Sequence, residues 1–390
     1  MSLIDILSNY VCKTPYEDLP EAVIYATKDR VLDYLGGAFH GYTCNVHKPI
    51  LKVLETYGGR NESTVIGEGV KLPCTSAANI NSTMGGDMAD GSRLAGLHPS
   101  LTVIPAVLAV AEARNRVISG RDLILAIAQG YEVMIRVGRA MNPSSVKRGF
   151  HLTGIVGSLG SAAAAGKIIN LDEESMKDAL SIATLLGSGL LAAFKGPHPL
   201  AQTHIARACE SGIICAMLAQ NGLKGYDVIL EEAFIPAYSD EYNLDLITRD
   251  LGKEYMIPQT YIKVYAGCRH IHAPIDATIY IMDKHNIGIE DIEKIRVQIY
   301  SVAIDLGIED PKTGDDAMFS IPFGISARLI YGDAFPDKFT SQNLGSERIK
   351  QLMSKVTVEY DPEQDREYPA KRGAVVEITA KGGQVFSHKL

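Results

Sequence analysis

Apolar residues return at helical spacing along most of the first two thirds of the chain. After Pro20, the positions Val23, Ile24, Val31, Leu32 and Leu35 follow a period near 3.6, which predicts a helix closing near Gly36 or Gly41. The same spacing predicts helices over 46–58, 75–90, 101–115 and 120–140, the last opening at Ser119-Gly120-Arg121-Asp122. Another follows Phe150-His151 and runs through Gly154, Gly157, Gly160 and Ala162 to Ala165, and two more cover 172–187 and 204–222. Glycine weakens a helix, so glycines repeating along one are expected where a neighbouring backbone comes very close. Thr64-Val65-Ile66-Gly67 is short and β-branched, an isolated strand in an otherwise helical run.

The pattern changes after about Asp250. Residues 260–268 read as extended and 272–286 as helical, while 293–304 alternate like a half-buried strand. Helices are expected at 317–331 and 346–354, and strands at 355–360 and 373–387. The expected fold is therefore mainly α: a large all-helical domain, 1–265, followed by a smaller α+β domain, 266–390.

Composition narrows the function. With 46% hydrophobic residues in 390, the chain can bury a large core; no Trp and only 7% aromatics imply helices packed through small side chains. A net charge of -8 without a basic block argues against nucleic acid and against an anionic membrane surface. The first residues lack a basic segment followed by an apolar one, and no apolar run is long enough to span a bilayer, so a cytoplasmic protein is expected. Six cysteines without paired spacing fit reduced thiols rather than disulfides or an iron-sulfur cluster. No metal centre is therefore expected from the thiols.

The candidate chemistry is concentrated in a few stretches. Between Asn79 and Pro105, two carboxylates (Asp87, Asp90), Arg93 and His98 lie between apolar segments; burying charge is costly unless it is paired or used. Turn chemistry at Asp90-Gly91-Ser92, with Asp87 as a cap, is the simpler reading of that stretch. His151 stands where a helix begins, and the positive end of the helix dipole would keep its imidazole neutral and fit to act as a general base. His198 and His204 flank Pro-Leu-Ala-Gln-Thr, and Tyr261–Ala273 gathers Lys263, Arg269, His270 and His272 at the expected domain boundary. An arginine there can hold a carboxylate bidentately, whereas Cys268, His270 and His272 pose zinc as the competing use.

Taken in order, D-x-x-D-G-x-R-(x)4-H-P-S, R-G-F-H-x-T-(x)3-G, T-H-x-A-x-A, K-x-Y-x-x-C-R-x-x-H and F-S-I-P-F resemble the MmgE/PrpD family over essentially the whole chain. That resemblance implies an all-helical domain with an α+β lid, a homodimer, and cofactor-free chemistry on a small di- or tricarboxylic acid. It carries catalytic roles onto Asp87, His98, His151 and Lys263; Arg93, His204, Arg269 and His272 are the expected substrate-binding residues. In the hydro-lyase form, dehydrating a 2-methylcitrate-like acid, His151 or Asp87 takes the α proton while His98 or Lys263 assists the departing hydroxide. Epimerisation of the iminodisuccinate type and decarboxylation are the alternatives on the same scaffold, and an idle carboxylate-binding protein is the alternative of another class. This chain departs from the family at Ala201, where decarboxylase-like members carry lysine, at Gly91 in place of a hydroxyl residue, at Phe323 in place of tyrosine, and at Cys268 in place of histidine. Ending at Leu390, it is also expected to lack part of the helical domain.

Overall fold

The computed structural model describes every residue except Asn115, Pro197 and His198, and the side chain of Asp87. The chain divides into two compact units, Met1–Ile262 and Lys263–Leu390.

The first unit is a helical assembly: α1 (Leu3–Lys13), α2 (Glu21–Thr43), α3 (Lys48–Glu55), α4 (Cys74–Met84), α5 (Ser100–Glu112), α6 (Gly120–Met141), α7 (Leu152–Ile168), α8 (Glu173–Thr184) and α9 (Leu200–Gln220). At its centre is the glycine-rich α7, which packs against α5, α6, α8 and α9. Small residues make that crowding feasible. A Cβ at Gly160 would lie 2.7 Å from the Met134 Cβ, and one at Gly212 would lie 1.8 Å from the Ser161 Oγ. The glycines of this helix are therefore packing sites, as their spacing predicts.

Several predicted ends move, each for a local reason. Helix α2 continues past Gly36 and Gly41 because Gly41 is a contact rather than a stop: a Cβ there would meet the Met84 carbonyl oxygen at 2.1 Å. Helix α4 ends at Met84, and Gly86–Met88 forms one 3-10 turn, so the stretch carrying Asp87 and Asp90 lies beyond the helix. Helix α9 begins at Leu200, four residues ahead of His204. Helix α1 was absent from the pattern reading, yet Ser2 and Asp5 make a reciprocal capping box and Ile4, Leu7, Tyr10 and Val11 are buried. Residues Thr64-Val65-Ile66 are not isolated either, since β1 (Ser63–Thr64) pairs antiparallel with β2 (Lys71–Leu72).

The second unit packs α10 (His272–His285), α11 (Ile321–Tyr331) and α12 (Glu347–Met353) with a four-stranded sheet. Its strands are β3 (Ile292–Ile299), β4 (Val356–Tyr360), β5 (Val375–Ala380) and β6 (Val385–Lys389), in the order β4-β3-β5-β6. Strand β3 is central, parallel to β4 and antiparallel to β5, with Ile295 opposite both Val356 and Ile378. The single strand expected over 373–387 is a hairpin, turned at Gly382 and Gly383 with φ of 96° and 81°, values that suit glycine. Strand β3 ends at Ile299 and a short helix follows at Ser301–Leu306, so the expected strand to 304 is too long. In the expected extended run over 260–268, Tyr261 makes an isolated antiparallel bridge to Gly91 and residues 264–267 bend.

Candidate active site

In the first unit the loop after the 3-10 turn is held by one carboxylate. Asp90 is fully buried and accepts hydrogen bonds from the Ser100 amide (3.1 Å) and the Tyr131 hydroxyl (3.0 Å), with the Arg30 Nε at 3.7 Å. Arg30 also donates to the Oγ1 and the carbonyl oxygen of Thr260, each at 2.7 Å. Burial pushes the Asp90 carboxyl up, while the Ser100 hydrogen bonds, the Arg30 charge and Tyr131 pull it down. Asp90 is thus a buried anchor rather than a surface turn residue.

That anchor orients His98. Its Nδ1 meets the Asp90 carbonyl oxygen at 2.5 Å and its amide donates to the Thr153 Oγ1 at 3.1 Å. A carbonyl oxygen only accepts, so Nδ1 carries the proton. Beside it, Gly91 and Tyr261 exchange backbone hydrogen bonds of 3.1 and 2.9 Å. A Cβ at Gly91 would lie 2.4 Å from the Tyr261 hydroxyl, so the departure at Gly91 is matched by a phenol filling the same space. Arg93 is exposed, and the Asp87 side chain lies outside the described residues.

His151 caps α7 with extended backbone, and its amide donates to the Gly189 carbonyl oxygen at 3.1 Å. Only 4% exposed, its ring packs edge-on against Phe194 and places Nδ1 2.7 Å from the Nε2 of His204. Burial first, then the neighbouring His204 and His98, hold its pKa well below the ordinary imidazole value. The neutral base expected from the helix dipole is neutral chiefly because it is dry. Burial also lowers the pKa of His204. Ala201 is buried in the first turn of α9.

In the second unit, Lys263 and His272 are buried, at 8% and 2% exposure, and Arg269 is half-buried. The Nε2 of His272 is enclosed and has no hydrogen-bond partner among the described residues. Burial, then Arg269, Lys263 and His270, push His272 down to about 2; burial, then Arg372 and Arg269, push His270 down to about 3. His270 uses Nδ1 on the Tyr300 hydroxyl. Among the described residues no group of three His, Cys, Asp or Glu is arranged to hold a metal ion, so Cys268, His270 and His272 do not converge as the zinc alternative requires. The cluster is cationic, a setting that suits a carboxylate. Arg372, stacked over Tyr368 at 5.7 Å, belongs to it and was missed because nothing in Lys-Arg-Gly marks it locally. Phe323 is fully buried against Phe339, so the aromatic departure is a core side chain here.

These shifts predict an ordered response to acid. His270 and His272 stay neutral in the fold but bind protons once unfolded, so stability falls as pH drops below about 6.5, by roughly 1.4 kcal/mol per pH unit for each. In the first unit His151 and His204 act in the same direction. Glu132, raised by burial to about 7, and Asp90, also raised, oppose them: their contribution is fully present below the ordinary carboxylate range and lost as pH rises through the folded pKa. Hydrogen exchange followed by mass spectrometry from pH 7 to 5 is expected to show the second unit opening first; a first unit that opens first contradicts this balance.

Comparison with known proteins adds to this geometry. A family model described as the MmgE/PrpD N-terminal domain matches residues 5–246, and one described as the MmgE/PrpD C-terminal domain matches 265–390. The chain is 29% identical over 386 residues to a Homo sapiens protein named cis-aconitate decarboxylase, covering 95% of this chain and 79% of the relative. It is 25% identical over 387 residues to a cis-aconitate decarboxylase-like protein of Aspergillus oryzae, covering 92% and 80%. With a cis-aconitate decarboxylase of Aspergillus terreus it shares 26% over 377 residues, covering 90% and 77%.

Proposed function

Because the chain belongs to the MmgE/PrpD family, we propose that it is a lyase acting on a small di- or tricarboxylic acid through proton transfer at the carbon next to a carboxylate. The observation that carries this reading is His151, a buried imidazole hydrogen-bonded at 2.7 Å to a second imidazole, in surroundings that disfavour its charged form. A neutral imidazole accepts a proton; in the proposed hydro-lyase form His151 removes the α proton, and the loss of hydroxide is assisted by a general acid such as His98. Asp87 is the other acid-base candidate. In the second unit, Lys263, Arg269, Arg372 and His272 form a cationic cluster suited to carboxylate binding, and the enclosed Nε2 of His272 supports that use.

Decarboxylation is the second reading, favoured by the names of the relatives. Ala201 and Gly91, where the decarboxylase-like pattern has lysine and a hydroxyl residue, argue against the decarboxylase. The two readings lose different small molecules. Purified protein given citrate, 2-methylcitrate or cis-aconitate and followed by proton NMR is expected to interconvert a hydroxy acid and an unsaturated acid with water. Release of carbon dioxide from cis-aconitate would establish the decarboxylase instead. Turnover of none of the three would remove the proposal for these acids.

A further inference from the structure

We propose that His204 is a positioning residue for His151, the two imidazoles acting as one proton-sharing pair rather than as a base and a separate substrate contact. The inference rests on the reading of His151 as the base, and it assigns His204 a role other than the substrate binding expected from the sequence.

The fold makes room for this contact. A Cβ at Gly154 would lie 2.6 Å from the His204 Cδ2 and 2.3 Å from the Ser188 carbonyl oxygen. A Cβ at Gly189 would lie 3.0 Å from the same Cδ2 and 3.3 Å from the Nε2 that meets His151. Two glycines, one on α7 and one on the loop after α8, thus open a slot that admits the His204 ring edge to the His151 ring. His204 spends Nε2 on that contact, leaving Nδ1 for any other partner.

At 2.7 Å between two ring nitrogens, one must donate and the other accept. When the His151 Nδ1 carries the shared proton, its Nε2 is a free lone pair and the residue is a base. When the proton sits on the His204 Nε2, the His151 Nε2 is protonated and the residue is an acid. The proton transfer then balances as follows. The C–H bond next to the substrate carboxylate breaks, its proton bonds to the His151 Nε2, and its electron pair delocalises into the carboxylate. The Nδ1 proton of His151 moves to the His204 Nε2. His151 ends neutral in its other tautomer and His204 ends as the imidazolium. That placement of charge is favourable because His151 is only 4% exposed, whereas His204 is half-buried. Among the described residues, the titratable groups acting on His151 are His204 and His98, and Phe194, packed against its ring, carries no charge.

The test uses the intact chain labelled with 15N-histidine, in NMR titrations with no substrate added, beside steady-state kinetics of two variants. In the wild type the His151 and His204 ring nitrogens are expected to shift together as one coupled pair. His204→Ala is expected to lower kcat about a hundredfold with KM changed by less than about threefold. His204→Gln, which keeps a hydrogen bond to Nδ1 but accepts no proton, is expected to stay slow. Independent one-proton titrations of the two rings in the wild type would overturn the proposal. So would a His204→Ala variant whose defect is confined to KM, or recovery of kcat by His204→Gln. The titration requires no turnover, so it judges the pair even where the assigned reaction fails, and an inactive protein with a coupled pair would sink only the reaction.

Discussion

Replacing Arg136 by methionine is expected to destabilise the first unit by about 3–5 kcal/mol, because it leaves an acid buried without its counter-charge. Arg136 and Glu132 are one turn apart on α6, 1% and 0% exposed, with the Arg136 Nε 2.9 Å from the Glu132 Oε2. The guanidinium also donates to the carbonyl oxygens of Arg249 (2.7 Å) and Glu254 (2.6 Å), and Glu132 accepts from the Met256 amide. One substitution therefore strands a carboxylate and the four carbonyls of Ile247, Arg249, Asp250 and Glu254. Burial already raises Glu132 to about 7 despite Arg136, so the stranded acid can escape by taking a proton. The loss in Arg136→Met is accordingly expected to be greater at pH 8 than at pH 6 in urea titrations. An equal loss at both, or one below about 1 kcal/mol, would mean that the pair is not the fastening it is taken to be.

The second large effect concerns turnover. His151→Gln is expected to slow catalysis about a hundred- to ten-thousandfold, the range for removing a general base, with a much smaller change in KM. Glutamine keeps a polar side chain beside His204, so the loss should reflect chemistry rather than packing. Its thermal unfolding should stay close to that of the wild type. A variant with an intact fold and an unchanged rate would take His151 out of the mechanism.

How much of this was written in the chain differs by element. The central helices were legible because burial on one face imposes a 3.6-residue period, and the glycines of α7 announced close packing before any contact was known. Helix ends were less legible: Gly41 reads as a terminator until the Met84 carbonyl is seen against it. His151 and the cluster around Arg269 stood out as local concentrations of polar groups in apolar surroundings. What escaped were contacts between residues far apart in sequence. The buried Asp90 looked like a turn residue because its partners, Arg30 and Tyr131, lie 60 and 41 positions away. Gly91 looked like a lost hydroxyl because Tyr261, which fills that space, lies 170 positions on. The dryness of His151, the chief reason its imidazole is neutral, is set by tertiary packing and has no local sign at all.

The account turns on one step, the transfer of a proton by His151 at a carbon next to a carboxylate. Turnover of cis-aconitate in deuterium oxide, followed by NMR, tests it under either lyase reading. The product is expected to carry one solvent deuteron, stereospecifically, on a carbon adjoining a carboxylate, and His151→Gln is expected to form it at least about a hundredfold more slowly. A product without solvent deuterium, or one formed by His151→Gln at the wild-type rate, would contradict the account.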